Sequence, residues 1–114
     1  MYMKRLLLSL VAFSVAANGA PLKCDVGPVT KVFGAVPWLV YSCDDATSVV
    51  LVSAPGSPAA PYYFIFSLEG SSYKLRGEGT GPKAATDAAL KDLQALVATD
   101  IAALRSATLA VKKP

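Results

Sequence analysis

The stretch YYFIFSLE (Tyr62–Glu69), followed across Gly70-Ser71 by SYKLRGE (residues 72–78), decides the fold. At the two-residue period of a β-strand, Tyr62, Phe64, Phe66 and Leu68 share one face, and Tyr63, Ile65, Ser67 and Glu69 share the other. The second segment alternates in the same way, with Tyr73 and Leu75 on one side and Lys74, Arg76 and Glu78 on the other. Two such runs joined by a tight turn form an antiparallel hairpin, in a sheet with one buried face and one wet face.

Upstream, Trp38 to Cys43 is rich in aromatic and branched residues and reads as a strand. Asp44-Asp45-Ala46-Thr47 reads as a turn, because aspartate bonds its own backbone and tolerates turn angles. Ser48 to Ala54 is a further strand, with the continuous run Val49-Val50-Leu51-Val52. Val29 to Phe33 is a weaker strand candidate between Gly27-Pro28 and Gly34. Pro55 to Pro61 holds three prolines in seven residues, cannot supply a strand ladder, and is expected to be a loop projecting from the sheet edge.

Downstream, Gly77 to Pro82 breaks the sheet. Thr80 or Gly81 can cap a helix, and Pro82 fits its first position, where no amide hydrogen is required. Residues 83–111 read as helical, with Leu90, Leu93, Val97, Ile101 and Leu104 at amphipathic spacing. Thr99-Asp100 reads as an internal cap followed by a first-turn acid, which predicts a kink or restart. The expected architecture is α+β: a small antiparallel β-meander of three to four strands, packed on one face by one or two C-terminal α-helices. The aromatic face of Tyr62 to Leu68 is expected to meet the leucine stripe.

Residues 1–19 read as a secretory signal peptide. Lys4 and Arg5 form the basic start, Leu6 to Ala17 the apolar centre, and small residues place cleavage after Ala17 or Gly19. The competing readings are an uncleaved anchor and a buried core helix. The apolar run of about 12 residues falls short of the ~20 that cross a membrane, so no stable anchor is expected after cleavage. Lys23, bulky and directly before Cys24, argues against a lipid anchor. The expectation is a bacterial protein exported to the periplasm or the extracellular space, with residues 20–114 as one domain.

The chain carries 11 basic and 8 acidic residues, but setting Lys4 and Arg5 aside leaves nine against eight. The basic residues are scattered, so the clustered positive face that nucleic acid requires is missing, and no nucleic-acid partner is expected. In an oxidising compartment Cys24 and Cys43 are expected to form a disulfide, which closes a loop of about 20 residues and stabilises the fold by roughly 3 kcal/mol. It would also pin the N-terminal stretch to the first confident strand.

With no histidine in the chain, Ser-His-Asp and Cys-His arrangements are excluded. No metal site is expected either, since two cysteines are too few ligands for zinc, and Asp44-Asp45 lacks the further oxygens calcium needs. Ser71-Ser72-Tyr73-Lys74 matches the S-x-x-K string of penicillin-interacting enzymes, but without its partner motifs. GEGTGPK (residues 77–83) sits between strand and helix but is not a phosphate-binding loop, because Pro82 replaces the glycine before the lysine and Ala84 the serine or threonine after it. A weak anion site at Thr80 and Lys83 is the most this segment supports. No cofactor and no catalytic residue are expected.

Trp38, Tyr41, Tyr62, Tyr63 and Ile65 are the candidates for an interaction surface, since tyrosine and tryptophan anchor recognition as well as cores. An apolar patch at Tyr63 and Ile65 would need a cover, either the segment held by Cys24 or a second subunit. Three functions follow. The favoured one is a small exported, non-enzymatic binding module, such as an inhibitor of another exported protein. The second is a homodimeric structural protein of the cell envelope. The third is a histidine-free enzyme using Asp44, Asp45, Glu78 or Lys83.

Overall fold

The computed structural model describes residues 21–111, so the expected signal peptide lies outside the described residues. Five strands run in sequence order: β1 (Val26–Phe33), β2 (Val36–Ser42), β3 (Val49–Ser53), β4 (Tyr62–Glu69) and β5 (Ser72–Gly79). They form one antiparallel meander in the order β1-β2-β3-β4-β5. Two helices follow, α1 (Lys83–Gln94) and α2 (Ala98–Leu109). The α+β class is as expected, with five strands rather than three to four. The additional pairing is β1, whose register with β2 slips between Val26 and Val29, around Gly27-Pro28. This irregularity is why its signal was weak in the sequence.

The period-two alternation sorts each strand into an inner and an outer side. Trp38, Val40, Val49, Leu51, Phe64 and Phe66 point inward and join Ala89 and Leu93 of α1 and Ile101 and Leu104 of α2 in one core. The Trp38 and Phe64 rings meet at 5.2 Å, tilted, and the indole N–H donates to the Phe33 carbonyl at 3.0 Å. The aromatic payload is therefore buried with its one polar atom satisfied. α2 lies over β1, β2 and β3, while α1 packs on β1. At the far end of α2 the buried hydroxyls of Thr108 and Ser42 are hydrogen-bonded at 2.7 Å.

Three local expectations are corrected. Trp38 belongs to the core, fully buried, and not to a surface. The helix restarts at Val97 rather than Thr99: Asp100 reaches back so that its Oδ2 accepts from the Val97 N–H at 2.9 Å. That carboxylate is the back-reaching half of a capping box. Val97 thereby leaves the apolar stripe and is 61% exposed. The Pro55–Pro61 loop does not project. Ser57 N–H donates to the Ala54 carbonyl and Ala60 N–H to the Ser57 carbonyl, two successive turns that drive Ala59 into the core.

Cys24 and Cys43 are joined by a disulfide. Beside it Lys23 and Asp44 exchange backbone contacts, Asp44 N–H donating to the Lys23 carbonyl at 2.8 Å and Lys23 N–H to Asp44 Oδ1 at 3.2 Å. The bridge thus ties the N-terminal stretch to the end of β2. Among the described residues no helix is long and apolar enough to cross a membrane.

The β1–β2 turn is the contact that seats α1. Gly34 N–H donates to Asp92 Oδ2 at 2.6 Å, and a Cβ at Gly34 would overlap the backbone of Ala88 and Ala89. Its neighbour Ala35 holds a left-handed φ of 64°, a conformation that favours glycine.

Adjacent substitutions in this turn should therefore act in opposite directions. Gly34→Ala should cost about 1–3 kcal/mol through overpacking, and Ala35→Gly should leave stability unchanged or raise it by up to ~1 kcal/mol. Urea midpoints check both. In the same assay the double variant Cys24→Ser/Cys43→Ser should lose roughly 3 kcal/mol.

Candidate functional site

The outer side of the sheet is built by the same alternation that builds the core. Cross-strand register aligns Leu39, Val52, Tyr63 and Glu78 in one row, and Tyr41, Val50, Ile65 and Arg76 in the next. Across β1 to β3 this face is uncharged, because Thr30, Val32, Pro37, Leu39, Tyr41, Val50 and Val52 all point outward. Val32 is 65% exposed, Val52 36% and Tyr63 40%. A sheet with one wet face would carry polar residues at these positions. Among the described residues nothing covers them, and the segment held by Cys24 sits at the end of β2 beside Asp44 instead.

One end of this face deepens into an open groove of about 590 Å³. Val52, Pro55, Pro61, Tyr62, Tyr63 and Glu78 to Thr80 are in its lining. Glu78 is the one charged side chain in the lining. The Tyr63 hydroxyl donates to Glu78 Oε1 at 3.3 Å. The carboxylate's negative charge, with smaller contributions from burial and the hydrogen bond, holds the Tyr63 phenol above its ordinary pKa. The groove is therefore apolar with one acidic corner.

The expected site residues separate into three groups. Tyr41, Tyr63 and Ile65 lie on the outer face. Trp38 and Tyr62 lie on the inner side, Tyr62 half-buried with its ring 5.0 Å from Phe64, and Tyr62 also lines the groove. Thr80 lines the groove, whereas Lys83 is held by its own helix, its Nζ donating to Asp87 Oδ1 at 3.0 Å and Oδ2 at 2.8 Å. Those bonds also raise the pKa of the Lys83 ammonium. Sequence reading missed Leu39, Val50 and Val52, although the unbroken run Val49 to Val52 was a sign that both faces of β3 are apolar.

The carboxylates of the third functional reading do not converge. Asp44 and Asp45 sit in the turn before β3, whose Thr47 carbonyl accepts from the Tyr73 hydroxyl at 3.3 Å. Glu78 pairs in register with Tyr63, beside Val52. Val49 and Val52 are three residues apart along β3 and Glu78 lies two strands to the side of Val52, which separates the two acidic sites by roughly 14 Å. Asp45 is occupied structurally. Burial alone would raise its pKa, but the Ser48 hydroxyl and the Ser48 and Thr47 N–H groups donate to it and outweigh that effect, so its pKa is lowered. Among the described residues no group of three potential ligands could hold a metal.

The described domain is thus a small disulfide-linked α+β module whose helix-free sheet face is apolar and open across β1 to β3. Comparisons with known protein families, characterised proteins and solved structures find no match to this chain.

Two titrations test these geometries. Glu78→Gln should bring the Tyr63 phenol back down towards its ordinary value, read as phenolate absorbance against a Tyr63→Phe reference. Asp45 has a depressed pKa when folded, so its stabilising contribution is present above the ordinary carboxylate pKa and lost as pH falls through the lowered folded value. The stability gap between wild type and Asp45→Asn should hold above about pH 5 and close in stronger acid, as followed by urea midpoints across pH.

Proposed function

We propose that the protein is a non-enzymatic interaction module that works outside the cytoplasm, and that the outer face of its sheet, with the groove at its end, is the surface it presents to a partner. The observation that carries this reading is the uncharged outer side of β1 to β3 and its continuation onto β4 at Tyr63 and Ile65. Leu39, Tyr41, Val50, Val52, Tyr63 and Ile65 lie side by side with no covering element among the described residues. Contiguous apolar surface rimmed by polar residues marks an interaction site on a protein of this size. The Cys24–Cys43 bridge supports a location in an oxidising compartment, as does the signal-like leader in the sequence. The separated carboxylates and the absence of histidine favour binding over catalysis.

Photo-crosslinking in intact cells tests this reading. p-Benzoylphenylalanine in place of Val52, on the outer face, should give a discrete covalent adduct. The same group in place of Ala103, exposed on α2, should give none. Absence of an adduct at position 52, or equal labelling at both positions, would overturn the reading.

A further inference from the structure

We infer that the occupant of the outer face is a second copy of this chain, packed sheet against sheet about a two-fold axis that crosses the strands. This rests on the reading of that face as the interaction surface and names its partner.

Size is the first argument. Five strands ~4.8 Å apart, averaging about seven residues at ~3.3 Å per residue, give a flat footprint of roughly 550 Å². Side-chain corrugation raises this towards the ~800 Å² per partner of a standard stable interface. Stacked antiparallel sheets pack about 10 Å apart with closely aligned strands, so a second identical face fits without remodelling either fold.

Charge selects the axis. The outer face has its charges along the β4–β5 margin. Lys74 is positive, Arg76 is neutralised by Glu69 of its own chain at 3.0 Å, and Glu78 is negative. Along β5 the order is therefore Lys74, then Arg76 reaching back to Glu69 of β4 opposite Ser72, then Glu78. A two-fold axis parallel to the strands would lay this margin over the uncharged outer side of β1 of the other copy and strand its charges against Thr30 and Val32. An axis across the strands, through the Arg76 row, reverses one β5 against the other. Lys74 of each copy then faces Glu78 of its mate, and the uncharged rows of β2 and β3 meet in the middle. An isologous interface requires self-complementarity of this kind.

Pairing through the sheet edges is disfavoured by comparison. β1 carries Pro28 and a register slip, and β5 is flanked by charged side chains, both of which blunt edge-to-edge addition.

Sedimentation equilibrium of the oxidised wild-type protein, from micromolar to millimolar concentration, is the test. The expected result is a reversible dimer. Val52→Lys should weaken it at least tenfold, and Lys74→Glu and Glu78→Lys singly by several-fold. The double reversal Lys74→Glu/Glu78→Lys should recover most of the loss, which a merely destabilised fold would not do; unchanged circular dichroism confirms that each variant is folded. A wild type that stays monomeric at millimolar concentration would overturn the inference. So would a dimer indifferent to Val52→Lys, or one in which the double reversal is no better than the singles. A monomer that still gives a position-52 crosslink to a different protein defeats the second-copy assignment alone, whereas a monomer with no crosslink defeats both proposals.

Discussion

A five-stranded sheet has two faces, and the two helices among the described residues both lie on one of them. Each helix is twelve residues long, which is about 18 Å at ~1.5 Å per residue, and a helix with its side chains is ~10 Å wide. Side by side, two such helices cover roughly two-thirds of a single sheet face, and they lie over β1 to β3. Everything else follows from which face they take. The inner face carries the larger side chains, Trp38, Phe64, Phe66 and Leu51, and burying these removes the most apolar area from water. The outer face is left with smaller residues and tyrosines, still apolar but without a roof of its own.

The connections enforce this choice. β5 hands the chain directly to α1, which is pressed onto the β1–β2 turn at Gly34 with Asp92 holding that turn's N–H. α2 then returns across β1 to β3, and Thr108 meets Ser42 at the far end. The disulfide acts on the opposite end of the order, fixing the chain before β1 beside the end of β2. The proline-rich loop closes the core rather than leaving it, because Ala59 is small enough to enter and the paired turns leave its prolines outside. Its Pro55 and Pro61 also line the groove at the end of the outer face. One short segment thus seals the interior and shapes the surface.

The class of fold was legible because β4 and β5 alternate cleanly and the leucine spacing after Pro82 is helical. The details that escaped have physical causes. β1 was obscured by Gly27-Pro28, which disrupts its register, so the meander read one strand short. Thr99 suggests the helix restart because a cap is usually a side-chain oxygen just before the helix. The structure instead uses the Asp100 carboxylate from inside the first turn. Trp38 looked like a surface anchor because composition cannot say which side of a strand is roofed. That depends on the helices, which the strand's own sequence does not contain. For the same reason Val52 and Leu39 passed as ordinary strand residues, while Tyr63 and Ile65 stood out through their contrast with the Phe64 and Phe66 row.

The claim on which all this depends is that the two helices pack on the Trp38–Phe64 side and leave the Val52–Ile65 side free of them. Methyl and aromatic nuclear Overhauser effects in isotopically labelled protein decide it. The account predicts contacts from Leu93 and Ile101 methyls to the Trp38 and Phe64 rings, and none from any α1 or α2 methyl to Val50, Val52 or Ile65. Helix contacts to those three outer residues would contradict it.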